Sequence, residues 1–203
     1  MKRLSSMPNS GADIIADTSV IINLNATARG RDILSALPFR MVVTDTVEGE
    51  LQEDLRTGRQ DRILFNELVQ AGYVSIVALD ESAMSIFEQL VIGQAVATLD
   101  DGEASTIAFA VARGFVPVID ERKALSICNV RFPSLRPLTT TDLLAEPAVA
   151  AAFGRDGLSE AVFQALQMAR MRVPPARLRW VINLIGTERA GLCPSLPRAA
   201  RRG

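Results

Sequence analysis

Asp13-Ile14-Ile15-Ala16-Asp17-Thr18-Ser19-Val20-Ile21-Ile22-Asn23-Leu24 is the stretch that decides the fold class. Asp13 to Ala16 is a short apolar run that stops at an acid, Asp17, and the residues from Thr18 then enter a helix. The same texture recurs downstream. Met41-Val42-Val43-Thr44 reads as a second buried strand, with Asp45 or Thr46 capping a helix that reaches about Arg56. Gln60 to Ala71 reads as a further helix and Tyr73 to Val77 as a third strand. Ala83 to Ala97 and Gly102 to Arg113 are helical in pattern, and Phe115 to Ile119 is a fourth strand. Pro117 within that last run calls for a position whose amide needs no partner. Strands alternating with helices predict an α/β fold, with a mainly parallel sheet covered on both faces. Such sheets bind ligands beyond the carboxyl ends of their strands.

After Pro147 the texture changes. Ala148 to Phe153 is alanine-rich and stops at Gly154, then Leu158 to Arg172 and Pro174 to Ile185 read as two helices. Residues 187–203 hold Gly191, Pro194, Pro197 and closing arginines, and are expected to form a loose tail. The chain of 203 residues thus divides into a domain over 1–145 and a helical, arginine-rich extension over 146–203. The formal net charge of -1 hides a split: the first part sums to -6 and the extension to +5. An acidic body with a basic tail suits a grip on nucleic acid, or the tail simply neutralises the body.

The most restrictive number is zero, the count of histidines. It excludes Ser-His-Asp and Cys-His nucleophiles, histidine-ligated metals and a histidine general base. Two cysteines, Cys128 and Cys193, are too few for a disulfide framework or a thiolate metal site, which suits a reducing cytoplasm. No apolar run reaches the roughly 18–20 residues of a membrane span, and the first residues lack the apolar core of a secretory signal. Chemistry therefore falls to carboxylates, hydroxyls, amides, arginines and a bound ion.

The acids are placed suggestively. Asp17 ends the first strand, Glu50 lies on the helix after the second, Glu103 opens the helix before the fourth, and Asp120-Glu121 end the fourth. Each has a plainer reading: Asp17 as a helix cap, Glu50 as a solvated acid, Asp100 with Glu103 as a capping box, Asp120-Glu121 as acids at a helix start. Jointly they stand at the ends of elements of one sheet. Carboxylates brought close repel unless a cation compensates, and oxygen-only ligands point to Mg²⁺ or Mn²⁺.

With these pieces in place the chain resembles the PIN-domain nucleases, which include the VapC-type toxins. The matching segments are Ile15-Ala16-Asp17-Thr18-Ser19-Val20-Ile21-Ile22, Val47-Glu48-Gly49-Glu50-Leu51, Leu99-Asp100-Asp101-Gly102-Glu103-Ala104-Ser105-Thr106-Ile107-Ala108 and Val118-Ile119-Asp120-Glu121-Arg122-Lys123-Ala124. The D-x-G-E form of the third segment looks like a bacterial and archaeal subgroup. The resemblance covers roughly residues 12–145 and implies a three-layer α/β/α fold. It also implies Mg²⁺- or Mn²⁺-dependent hydrolysis of phosphodiester bonds, usually in RNA. Asp17, Glu50, Glu103 and Asp120 would be catalytic, with Asp17, Glu103 and Asp120 on the metal. Ser19, Asp101 and Glu121 would stand behind them, and Arg122 beside the acids can contact a phosphate. A homodimer and an antitoxin-like protein partner are further implications, with a toxin or defence role. A second reading is a weakly active or inactive PIN-like module that binds protein or nucleic acid, with Trp180, Val181 and Leu184 as an apolar patch that either meets a partner or packs on the sheet. A haloacid-dehalogenase-like phosphatase needs a second acid where Ser19 stands, and a response-regulator receiver needs an acid pair that is absent.

Overall fold

The computed structural model describes residues 13–92 and 98–201. Four parallel strands form the central sheet in the order β5-β2-β1-β6, where β1 is Asp13–Ala16, β2 Arg40–Thr44, β5 Val74–Val77 and β6 Val116–Val118. A separate two-stranded hairpin pairs β3 (Glu53–Asp54) with β4 (Arg59–Gln60). Successive side chains of a strand face opposite sides, and the core follows that rule. Ile14, Ala16, Met41 and Val43 belong to the large cluster on one face, while Ile15 and Val42 belong to a smaller cluster on the other.

On the first face lie α1 (Thr18–Ala26), α2 (Gly30–Ala36), α4 (Asp61–Gln70) and the C-terminal helices. On the second, Phe109 and Ala110 of α6 (Asp101–Arg113) pack beneath Ile15 and Val42. α6 also joins α5 (Glu81–Val91) and α7 (Arg122–Arg131) around Leu90, Ile107 and Cys128. The result is the three-layer α/β/α arrangement expected from the alternation of strands and helices. Of the helix expected over Ala83 to Ala97, residues 93–97 lie outside the described residues, as do Met1 to Gly11.

β6 is an edge strand whose outer side meets Leu138. The Pro117 carbonyl accepts from the Leu138 N–H at 2.9 Å, so the proline's missing donor faces away from β1. That is the position its chemistry requires.

Three boundaries differ from the sequence expectation. The helix after β2, α3, spans only Asp45–Glu50 and is capped by Thr44, whose hydroxyl accepts from the Val47 N–H. It stops there because Leu51 turns extended and is fully buried, and the chain runs on into the hairpin. The long C-terminal helix, α9, spans Pro147–Met168 and is broken by a kink at Gly154, the expected stop, where φ +63° and ψ 174° are non-helical. The part after the kink differs at its far end: it stops at Met168, short of the expected Arg172, and the Met171 N–H folds back to the Ala165 carbonyl. Residues 187–201 are not a loose tail. They form α11 (Thr187–Gly191) and a final 3-10 turn, with Cys193 and Leu196 buried in the main core, because apolar residues set between the prolines close its far end.

α8 (Thr140–Leu144), α9 and α10 (Pro175–Ile185) share that core with the sheet. Val181 is fully buried, and Trp180 and Leu184 pack against the same cluster, so this patch faces inward. No helix among the described residues is long and apolar enough to cross a membrane.

Candidate functional site

Parallel pairing of β1 with β6 sets Ala16 against Val118, so the chain reaches Asp17 and Asp120 at one end of the sheet. The Asp17 N–H donates to the Val118 carbonyl at 3.2 Å and fixes that junction. Asp17 caps α1: one carboxylate oxygen accepts from the Val20 N–H at 2.9 Å and from the Ser19 hydroxyl at 2.8 Å. Its other oxygen, Oδ2, is buried with no hydrogen-bond partner. Burial, then the nearby Asp120 and Glu103 carboxylates, push the Asp17 carboxyl up to about 8 against the opposing pull of those two hydrogen bonds.

Asp120 is held more tightly. Oδ1 accepts from the Thr140 N–H at 2.9 Å, and Oδ2 from Asn23 Nδ2 at 2.7 Å and from the Thr140 hydroxyl. Burial still raises its pKa from the ordinary aspartate value, opposed by those three donors. Glu103 stands in the first turn of α6, half-buried, and accepts from the backbone N–H of Asp100. Burial, Asp100 and Glu121 together push it up to about 7. The expected capping box is thus half made, since the Asp100 side chain makes no capping bond.

Glu50 is exposed at the end of α3, yet both its oxygens are engaged. One accepts from the Gly102 N–H at 2.8 Å and the other from the Thr18 hydroxyl. Asp17, Glu50 and Glu103 line a cavity of about 220 Å³ together with Ser19 and Ile22. Ser19 and Ile22 also line the adjoining cavity, which holds Asp120, Glu121 and residues 169–172. The two cavities are halves of one groove.

Every acid singled out as catalytic from the sequence therefore faces this groove. Ser19 lies at its centre and bonds Asp17, and Glu121 sits on its wall, paired with Arg172 at 3.3 Å. Asp101 does not line it; Asp100 does, because it stands three residues before Glu103 and shares its helical side. Arg122 is exposed at the start of α7 and lines neither half, and the guanidiniums there belong to Arg170 and Arg172.

Asn23 and Thr140 escaped the sequence reading. The first carried a signal, a polar residue inside the apolar run from Val20 to Leu24, and it is buried. The second lies in Thr139-Thr140-Thr141-Asp142, whose outer members form a capping box. That box fixes the turn from which Thr140 meets Asp120.

A family model described as a PIN domain matches residues 13–187. The chain belongs to the PIN-domain family. No curated protein matches it. The family match takes in α9 and α10 as well as the sheet. PIN domains are in general nucleases and typically use divalent metals, and the oxygen donors of this PIN domain are compatible with such an ion. The buried, unpartnered Oδ2 of Asp17 is an acceptor lacking a cation or donor, and the Asp120 and Glu103 carboxyls lie near enough to raise the Asp17 pKa. Among the described residues no three Asp, Glu, Cys or His side chains close into a ready-made ligand cluster. Mg²⁺ does not require one, since it keeps several waters and is commonly held by one or two carboxylates.

Proposed function

We propose that this PIN domain is a Mg²⁺- or Mn²⁺-dependent endoribonuclease that hydrolyses phosphodiester bonds in single-stranded RNA. The observation that carries the reading is the Asp17 carboxylate, buried at a strand end with one oxygen unpartnered and with Asp120 and Glu103 close enough to raise its pKa. Such an arrangement is costly as a purely structural feature and is typical of sites that bind charge. Asp17, Glu103 and Asp120 would hold the ion, one or two of them directly and the rest through its waters, and the ion would supply Lewis acidity and charge neutralisation at a phosphate.

The protein's own groups do the rest. Ser19 and the Val20 N–H fix the rotamer of Asp17 through Oδ1, leaving Oδ2 buried and without a partner. Asn23 and Thr140 hold Asp120 in one orientation. With no histidine in the chain, a carboxylate can take the proton of an attacking water, and Glu50 is the exposed acid held at the groove's edge by Thr18 and Gly102. The nuclease machinery is assigned to residues 1–145. A toxin or defence role, an antitoxin-like protein partner and a homodimer complete the proposal, supported by the resemblance to VapC-type proteins.

The deciding experiment compares wild type with Asp17→Asn on a panel of labelled single-stranded RNAs in Mn²⁺, with cut sites mapped. Cleavage by wild type alone is expected. Equal cleavage by both proteins, or by neither, refutes the assignment.

A further inference from the structure

An acidic groove repels the polyanion it is proposed to cut, so something on its rim must offset that charge. The candidates along the groove are four arginines. Arg56 and Arg59, on the hairpin side, are already engaged: both donate to the Met168 carbonyl, Arg56 also to that of Gln167, and Arg59 forms an ion pair with Asp61 at 2.8 Å. Arg170 and Arg172, on the turn after α9, are exposed. Arg170 lines both the half of the groove that holds Asp120 and the neighbouring cavity that holds Glu50. Among the described residues its side chain forms no ion pair or hydrogen bond, and Arg172 has only a partly exposed pair with Glu121.

We propose that Arg170 and Arg172 form a phosphate-binding rim that seats the backbone of single-stranded RNA across the carboxylate groove. The proposal rests on the nuclease reading for its purpose, though its test does not. Guanidinium forks match phosphate oxygens in pairs, which a lysine does not do. The backbone at this turn is unusual for an arginine. Arg170 has φ +56°, the left-handed conformation at a helix end that glycine or asparagine normally takes. Glycine would serve the helix end better, so Arg170 sits there at a local conformational cost, as Ala28 does after α1.

The turn that carries it is firmly placed. Met171 is buried, and its N–H returns to the Ala165 carbonyl at 3.1 Å. Arg56 and Arg59 grip the last carbonyls of α9 from the hairpin. The two guanidiniums are thus presented from a fixed base rather than from a free tail.

The test is fluorescence anisotropy with a labelled oligo-U of twelve nucleotides, in EDTA and in the Asp17→Asn background, so that neither metal nor cleavage enters. Arg170→Gln with Arg172→Gln is expected to weaken binding about tenfold or more near 0.1 M salt, and to flatten the log–log salt slope by about 1.4. Arg170→Gly alone should weaken binding while leaving the melting temperature equal or higher, a combination that a structural role for the side chain cannot produce. A parallel arm with oligo-dT should show the same loss. Unchanged RNA affinity in the double variant, or a loss confined to oligo-U, overturns the phosphate rim. So does a fall in melting temperature that accounts for the lost binding in Arg170→Gly. Failure of the nuclease reading would show separately, as intact RNA after incubation of the wild type with Mn²⁺.

Discussion

The backbone N–H of Gly102 donates to the Glu50 carboxylate at 2.8 Å, and that contact explains why the Asp-Asp-Gly-Glu segment carries a glycine. A β-carbon at position 102 would collide with the Glu50 carboxylate and stand 2.7 Å from the Thr18 hydroxyl. The obstructing group is the far end of a flexible side chain, so the fold can yield there and the site cannot. Gly102→Ala should therefore displace Glu50, lowering cleavage about tenfold or more at a stability cost of about 1 kcal/mol or less. Cleavage assays paired with urea unfolding check it. Loss of fold rather than of rate would contradict it.

Buried acids set the pH response. Asp17 and Glu103 have ordinary values of 3.8 and 4.5 and are raised to about 8 and about 7 in the fold. The folded state then binds more protons at these two sites than the unfolded one, so their contribution to stability is full below about pH 4 and is lost as pH rises toward 8. In chelator, the melting temperature should fall from pH 5 to pH 8. Asp17→Asn keeps an oxygen to cap α1 and removes the buried charge, so it should be more stable than wild type at pH 8 by roughly 2 kcal/mol while losing cleavage. Added Mn²⁺ should stabilise wild type and leave the variant largely unaffected, measurable by thermal shift.

Legibility followed burial. Runs such as Ile14-Ile15-Ala16 and Met41-Val42-Val43 lie on central strands packed on both faces, where apolar sequence and structure coincide, and they were readable to within a residue. The hairpin was not, because Glu53-Asp54 and Arg59-Gln60 pair over only two residues and show no alternation. Within the site, the acids were visible because each ends or opens an element. Thr140 was not visible as their partner, because its place depends on Leu138 joining the edge of β6, a contact 20 residues away in sequence. Arg170 and Arg172 were counted among the charges of the extension, yet no local pattern marked where α9 would stop.

The Arg59–Asp61 pair supports the hairpin from below. Asp61 is buried, and Asn25 donates to the same carboxylate at 3.0 Å. Arg59→Met should cost about 3 kcal/mol, because it leaves a buried carboxylate with one remaining side-chain partner. Chemical denaturation measures this, and a loss under 1 kcal/mol would mean that Asn25 suffices.

Neither cysteine is available to chemistry. Burial pushes the Cys128 thiol up to about 11 and raises Cys193 as well. The folded protein should resist an aromatic disulfide reagent at pH 8 for hours and consume two equivalents once unfolded in guanidinium. Rapid reaction of the native protein would show that the far end of the core opens readily.

The grip of Arg56 and Arg59 on the carbonyls of Gln167 and Met168 spans more than a hundred residues of chain, 109 to 112 between partners. A ribosome therefore releases all four groove acids well before it releases the turn that bears Arg170 and Arg172. During synthesis the nascent chain carries the acids before it carries either the basic rim or the C-terminal helices that complete the core under the sheet. On the proposed reading, such an intermediate would be a poor RNA binder while still tethered beside the RNA of the machine that makes it.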